Sequence, residues 1–488
     1  MLGGLAVSSW AGAADRWAYS YRDLEVFAEG SQEEATQVGR RLTALDDALH
    51  ALLRLPPSAS APPTHVYALP TAEIKSLDAV WGAQEGAFFR TGPFDDYLVL
   101  STESSTSSQA LYAERTQALL GSSGLGRLPD WYRRGISLVM GAAIFDNDHI
   151  IVGQEVTERM DRLAHDWIPM SEFLTLPAND PELHRSPAQE ATYDAQCWWI
   201  AHLTLMDGVL DQVMPSYLQR LLIGESQPTA YASAIGRPYE QLDQYFRKLK
   251  THLNLKHYTA ALPEAGAMRA PQPVTGPQAQ GRLAELLVAH EASSKQAAQM
   301  AREALEADAA NERALLALAR GELAARHYEP MQEQLNKLGA IGELSAVGHR
   351  ELGALQLALA KERDENMPGA ASIDTKALRA AARVHLKRAM ELEPGDPRAP
   401  YMLGWMLCGQ GEVAGVHELL PRVEAAFYHR PESAEFAELL VRMHSLAGNP
   451  ADVLKYAVVE QRLAATDAER ARAAARVDRL RAQLKEPQ

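Results

Sequence analysis

The chain has 488 residues, 47% of them apolar and 23% charged, with a formal net charge of −15. At roughly 100–200 residues per domain this is a multidomain globular protein, and its negative charge would repel phosphates, which excludes a general nucleic-acid binder. No run of about 18 apolar residues occurs, so no integral membrane span is expected. Cys197 and Cys408 lie far apart. Two such cysteines neither build a disulfide framework nor complete a tetrahedral metal site, and both read as small buried apolar residues.

Residues 1–14 read as a secretory signal peptide lacking its basic start: an apolar stretch from Met1 to Trp10, then Ala11-Gly12-Ala13, with charge beginning at Asp15 and Arg16. That reading implies a periplasmic or secreted protein. Residues 17–27 alternate weakly, with Leu24 and Val26 on one face, as a strand does. Ser31 and Glu34 form a capping box, followed by Val38, Leu42, Leu45, Leu49 and Leu52 on one helix face. A Pro/Ala/Ser stretch at 56–63 precedes a strand at 65–69. The segments 87–90 and 97–100, with Gly92 and Pro93 between them, read as a hairpin or two neighbouring strands. Helical segments follow at 109–120, 129–143, 193–206, 217–222 and 239–253. The fold class expected for 15–262 is therefore α+β, a small mixed sheet followed by a helical subdomain. Pro263, Pro271, Pro273 and Pro277 with Gly266 and Gly276 mark 263–281 as an extended linker.

From 282 to 488 the sequence is helical and repeats itself. Leu318-Ala319 and Leu352-Gly353 stand 34 residues apart, and Leu403-Gly404 recurs after an extra loop around 367–374. A period of 34 in helix pairs resembles the tetratricopeptide repeat, which stacks into an all-α solenoid. The clearest copy is 382–423, with Glu393-Pro394-Gly395-Asp396-Pro397 between its helices. In such arrays the inner helices face a ligand, which makes Tyr401 and Trp405 candidate groove contacts with a protein or peptide partner. The last segment, 467–484, is rich in Ala, Arg and Glu and fits a solvated capping helix.

The chemistry-bearing constellation is expected at 111–135. Two His at i and i+4 on one helix face, with a Glu between them and a further Glu from a second helix, make a zinc peptidase site. Here the first helix reads Leu111-Tyr112-Ala113-Glu114-Arg115-Thr116-Gln117-Ala118-Leu119-Leu120 and the second Leu128-Pro129-Asp130-Trp131-Tyr132-Arg133-Arg134-Gly135. This resembles the peptidase-MA-like gluzincins, whose pattern is close to H-E-Y-T-H-A-L-L followed by L-P-x-W-L-N-E-G. The likeness extends over about 15–258, including Gly86-Ala87-Phe88-Phe89 and the helix around Trp198, Trp199 and His202. Thr116, Ala118, Leu119, Leu120, Leu128, Pro129, Trp131 and Gly135 keep the frame. The ligands are lost: Ala113 and Gln117 replace the two His, and Arg134 replaces the Glu.

A methyl, a carboxamide and a guanidinium offer no strong zinc donor, so no metal and no cofactor are expected, and Glu114 is vestigial. The family geometry implies that Arg134 pairs with Glu114, its charge standing in for zinc. Arg115, Arg134 and His202 are the other candidate cleft residues, with Arg133 a further cation. His149, after Asp146 and Asp148, reads as part of a turn rather than a ligand. The function expected is a non-catalytic pseudo-metallopeptidase joined to a repeat scaffold that binds a protein or peptide. Alternatives are a zinc peptidase with atypical ligands drawn from His149 or His202, and a purely structural assembly factor.

Overall fold

The computed structural model describes residues 15–55, 64–77, 87–91, 96–103, 105–125, 128–146, 148–176, 186–209, 213–222, 225–249, 255–290, 294–366, 374–429, 433–463 and 467–485. The expected signal peptide at 1–14, the Pro/Ala/Ser break at 56–63 and the turn residues Gly92 and Pro93 lie outside them.

The alternation at 17–27 predicts one strand, and the chain instead forms a hairpin of β1 (Arg16–Tyr21) and β2 (Leu24–Glu29). Arg22 makes the tight turn by adopting the left-handed region at φ 52°. Next come α1 (Gln32–Leu53), opened by the Ser31–Glu34 capping box, then β3 (Thr64–Leu69), α2 (Thr71–Leu77), β4 (Ala87–Thr91) and β5 (Asp96–Ser101). The two helices of the gluzincin-like motif are α3 (Ser105–Leu120) and α4 (Asp130–Gly141). Beyond them lie β6 (Ile144–Asp146), β7 (His149–Val152), α5 (Thr157–His165), α6 (Met170–Phe173), α7 (Pro187–Leu205), α8 (Met214–Leu222), α9 (Gln227–Ala234), α10 (Tyr239–Leu249), β8 (Tyr258–Ala261) and β9 (Gln272–Pro273). The first sheet runs β4-β5-β3-β2-β1-β9; β2, β3 and β5 are parallel, while β1 and β4 pair antiparallel with their neighbours. A second, three-stranded sheet runs β6-β7-β8.

Strands β3 and β5 are buried along their whole length, because both faces of the sheet are covered. Val26, Val66 and Leu98 point into a core with α1, α3 and α4. Phe27, Tyr67 and Val99, on alternate positions, point the other way. They meet Leu283, Leu286 and Leu287 of α11 (Gly276–Ala289) and Met300 of α12 (Ser294–Ala307). The first helix pair of the C-terminal half is thus one layer of the N-terminal sheet.

This changes the reading of 263–281. Instead of an extended linker, the segment contains β9, which adds to β1, and the start of α11, capped by Thr275 and Gln278. Its prolines fit these roles, since Pro273 sits in an edge strand and Pro277 in a helix's first turn.

The remaining helices are α13 (Glu312–Ala324), α14 (Tyr328–Gly339), α15 (Ala346–Asn366), α16 (Thr375–Leu392), α17 (Arg398–Gln410), α18 (Val413–His429), α19 (Ala434–Ala447), α20 (Pro450–Leu463) and α21 (Asp467–Lys485). From α11 to α20 the helices stack as successive pairs, each first helix packing on the first helix of the next pair, and α21 packs on α20. Glycines mark close crossings: a Cβ on Gly353 would lie 2.8 Å from Leu386, and one on Gly404 3.1 Å from Leu439. Among the described residues no helix is long and apolar enough to cross a membrane.

Candidate functional site

Helix α4 is wedged between α3 and α7, and glycine sets both distances. A Cβ on Gly141 would meet Ala113 at 3.0 Å and the Gln109 carbonyl at 2.9 Å, and one on Gly135 would strike the Cys197 carbonyl oxygen at 2.3 Å. Trp131, Leu119, Leu120 and Ile136 are buried around this crossing, and the Thr116 hydroxyl donates to the Tyr112 carbonyl. The motif's frame residues therefore hold α3 and α4 together.

The residues at the former ligand positions behave otherwise. Ala113 and Gln117 are half-buried, and Glu114 is exposed. Arg134 reaches α7, where it donates to Glu190 at 3.0 Å and pairs with Asp194, and its guanidinium lies 5.9 Å from the centre of the Tyr193 ring. The expected Glu114–Arg134 pair is replaced by this clamp, because α7 presents two carboxylates to Arg134.

Two other expected cleft residues are core residues. Arg115 is 1% exposed; it crosses beneath the strand starts to bind Asp46 through Nε and Nη2 at 3.2 and 2.7 Å, Asp23 at 2.5 Å, and the Thr64 hydroxyl. A cation so enclosed is stabilised by its anions and offers nothing to a ligand. His202 is fully buried: its Nε2 lies 2.7 Å from the Gly153 carbonyl and its Nδ1 3.0 Å from Asp207, with the ring beside Trp198. Arg133 pairs with Asp130 one turn earlier. His149 and Asp146 are partners in the β6-β7 hairpin, in keeping with the turn.

What the sequence does not reveal is a cavity of about 1100 Å³ whose walls come from both halves of the chain. One wall is the β1-β2 turn and the C-terminal end of α1, including Asp23, Asp46, His50 and Arg54; the other is built by Arg313, Val347 and the loop carrying Asp396 and Arg398. A chain of ions joins the walls. Arg313 reaches Glu25 of β2 and, at 2.5 Å, Glu285 of α11. Arg320 lies between Glu285 at 3.4 Å and Glu351 at 2.5 Å. Arg350 continues from Glu351 at 2.9 Å to Asp396 at 2.6 Å, and Asp396 binds Arg398 at 2.8 Å. Burial opposes the charge on Glu25, but Arg313 and Arg282 outweigh it and hold the carboxyl well below its usual range. Charges spaced far apart in sequence meet only because successive inner helices align, so no local pattern announces them.

One and two turns beyond Arg398, α17 carries Tyr401 and Trp405, both half-buried, with rings 6.2 Å apart. Tyr401 rests on Phe436 of α19 at 4.7 Å and donates to Glu435, while Arg442 lies 4.7 Å over the Trp405 ring. The expected pair is thus part of a four-residue patch on the inner helices, joined by Phe436 and Arg442, which sequence spacing alone does not single out.

No family model matches the chain, and no curated protein matches it. Among solved structures it is similar to YrrB, a TPR protein with an unusual peptide-binding site, at 17% identity and a TM-score of 0.31 over 40% of this chain and 90% of that one. It is similar to TTC0263, a TPR protein of Thermus thermophilus, at 20% identity and a TM-score of 0.30 over 41% and 97% of the two chains. It is also similar to PilW, a type IV pilus biogenesis factor, at 18% identity and a TM-score of 0.32 over 43% and 92%. Similarity this slight assigns neither fold nor function.

Proposed function

We propose that this protein is a non-catalytic binding scaffold of the cell envelope. In this reading a metallopeptidase-like α+β part, its zinc site eroded, joins a tetratricopeptide-type helical stack to hold an extended peptide or protein segment. The observation that carries it is the cavity of about 1100 Å³ walled by both halves, large enough for several residues of peptide. From it the inner helix α17 leads to the Tyr401 and Trp405 patch, where one aromatic face is already stacked by a guanidinium. Loss of catalysis is supported by Ala113 and Gln117, which lack imidazoles, and by Arg134, whose charge is taken up by Glu190 and Asp194. The atypical-ligand peptidase needs His149 or His202 beside Glu114. His202 is instead enclosed with Asp207 and Gly153. A purely structural assembly factor would not need the shared cavity.

The test is to screen the purified protein against a soluble peptide library by fluorescence polarisation, with mass spectrometry of the peptides afterwards. Uncleaved peptides whose affinity falls about tenfold in Trp405→Ala or Arg54→Glu support the proposal. Cleavage that disappears in Glu114→Gln overturns it in favour of a hydrolase. Fractionation of the source cells with an antibody to the protein tests the envelope location.

A further inference from the structure

Two imidazoles that no part of the scaffold reading uses converge within the helical stack. His349 lies on α15 and His385 on α16, and their Nδ1 atoms are 3.0 Å apart, with ring centres at 5.2 Å and planes inclined by 31°. Both rings are half-buried, so solvent reaches them, and the adjoining face of α16 is open, Val384 being 66% exposed. The backbones beneath them are firmly held: α15 and α16 cross closely at Gly353, where a Cβ would lie 3.2 Å from the Ala382 carbonyl.

We infer that His349 and His385 form a binding site for a divalent transition-metal ion, with water completing the coordination. The geometry is close to what an ion needs. Two nitrogens at about 2.05 Å from one metal in a tetrahedral arrangement stand about 3.3 Å apart, so the pair need open by only a few tenths of an ångström. A hydrogen bond between two Nδ1 atoms needs a proton on one of them. With both protons moved to Nε2, both lone pairs point at the same spot, and a cation there replaces that proton.

Burial lowers the pKa of His349, helped by Arg388, and burial followed by the neighbouring His349 lowers that of His385. A neutral imidazole carries one free lone pair, and that is the form that ligates an ion. Glu312 of α13 supplies the nearby negative charge, acting on His349 in the opposite sense to Arg388; its carboxylate is fixed by the Ser345 amide and hydroxyl next to Gly348. Among the described residues no third His, Cys, Asp or Glu converges with the pair. The open positions and nitrogen-only donor set suit Cu²⁺, Ni²⁺ or Zn²⁺ rather than Mg²⁺ or Ca²⁺.

The test uses untagged, chelator-stripped full-length protein titrated with Cu²⁺, Ni²⁺ and Zn²⁺ by calorimetry at pH 7.5. The comparison is with His349→Ala, His385→Ala, the double variant and His327→Ala as an exposed-histidine control, thermal melts checking that each variant folds. The expected result is one saturable ion per chain. Affinity should be about tenfold or more weaker in each single variant and unchanged in the control, and the Cu²⁺ spectrum in paramagnetic resonance should carry splitting from two nitrogens. Saturable binding equal in wild type and double variant would overturn the inference, as would no binding beyond the double variant's. Zinc that persists in the double variant would instead point back to the region of Glu114, so the two questions separate.

Discussion

Arg134 and Arg350 are both arginines held by two carboxylates, yet their removal should differ severalfold in effect. Arg134 is a quarter exposed and its partners Glu190 and Asp194 reach solvent, so Arg134→Met is expected to cost about 1 kcal/mol in urea unfolding. Arg350 is 2% exposed and binds Asp396, itself only 4% exposed. Arg350→Met is expected to cost about 3 kcal/mol, since it strips a buried carboxylate of one cation. The pH dependence follows. Burial resists the charge on Asp396, and Arg398 and Arg350 overcome it, leaving its folded pKa below the ordinary aspartate range. Its contribution is thus present above about pH 4 and lost as pH falls through the depressed folded value. Thermal melts from pH 5 to 2 should show a shallower acid decline in Arg350→Met than in wild type. At this scale the sequence is a partial guide. That Tyr401 and Trp405 would lie side by side was legible, because an aromatic pair at i and i+4 on one helix needs only local spacing. The partners of Arg115 and Arg134 were not, because the carboxylates that claim them sit 56 to 92 positions away, and no periodicity encodes which of several anions a cation meets. His202 is a similar case, since the Gly153 carbonyl that encloses it lies 49 positions earlier.

Elements that make their own case locally were legible: the capped amphipathic α1, the β4-β5 hairpin, and the paired helices around Leu352-Gly353 and Leu403-Gly404. The connector was not. Proline and glycine at 263–281 mark interruption, but whether an interrupted chain stays extended or docks as β9 depends on a strand edge more than 250 residues earlier. The motif's glycine is a further case in which sequence supplied the position and structure the reason. Gly135 lets α4 approach the backbone of α7, and a Cβ there meets the Cys197 carbonyl oxygen at 2.3 Å, an atom that cannot swing aside. Gly135→Ala is expected to destabilise by about 1–3 kcal/mol or more, read as a lowered urea midpoint. Gly121→Ala, where a Cβ would meet nothing within 4 Å, serves as the control and should move the midpoint little.

Across the whole molecule, the sheet's second face is completed by α11 and α12, so the two halves share one core instead of meeting at a surface. A fragment of 15–262 would leave Phe27, Tyr67, Leu69 and Val99 uncovered and remove β9 from the sheet edge. It is expected to bind a hydrophobic dye and to melt without a cooperative transition, whereas extension to residue 327 should restore a single sharp one. A cooperative, dye-free 15–262 would show that the helical layer is dispensable. The shared core also sets an order of events during synthesis. Strands β1 to β5 leave the ribosome nearly two hundred residues before α11 and α12, at about 5–20 residues per second. For some ten seconds or more, a nascent sheet therefore presents one finished and one bare apolar face. Its final folding step is not the pairing of neighbours but the late arrival of a distant helical hairpin, which makes this interval the point at which the chain most needs a chaperone.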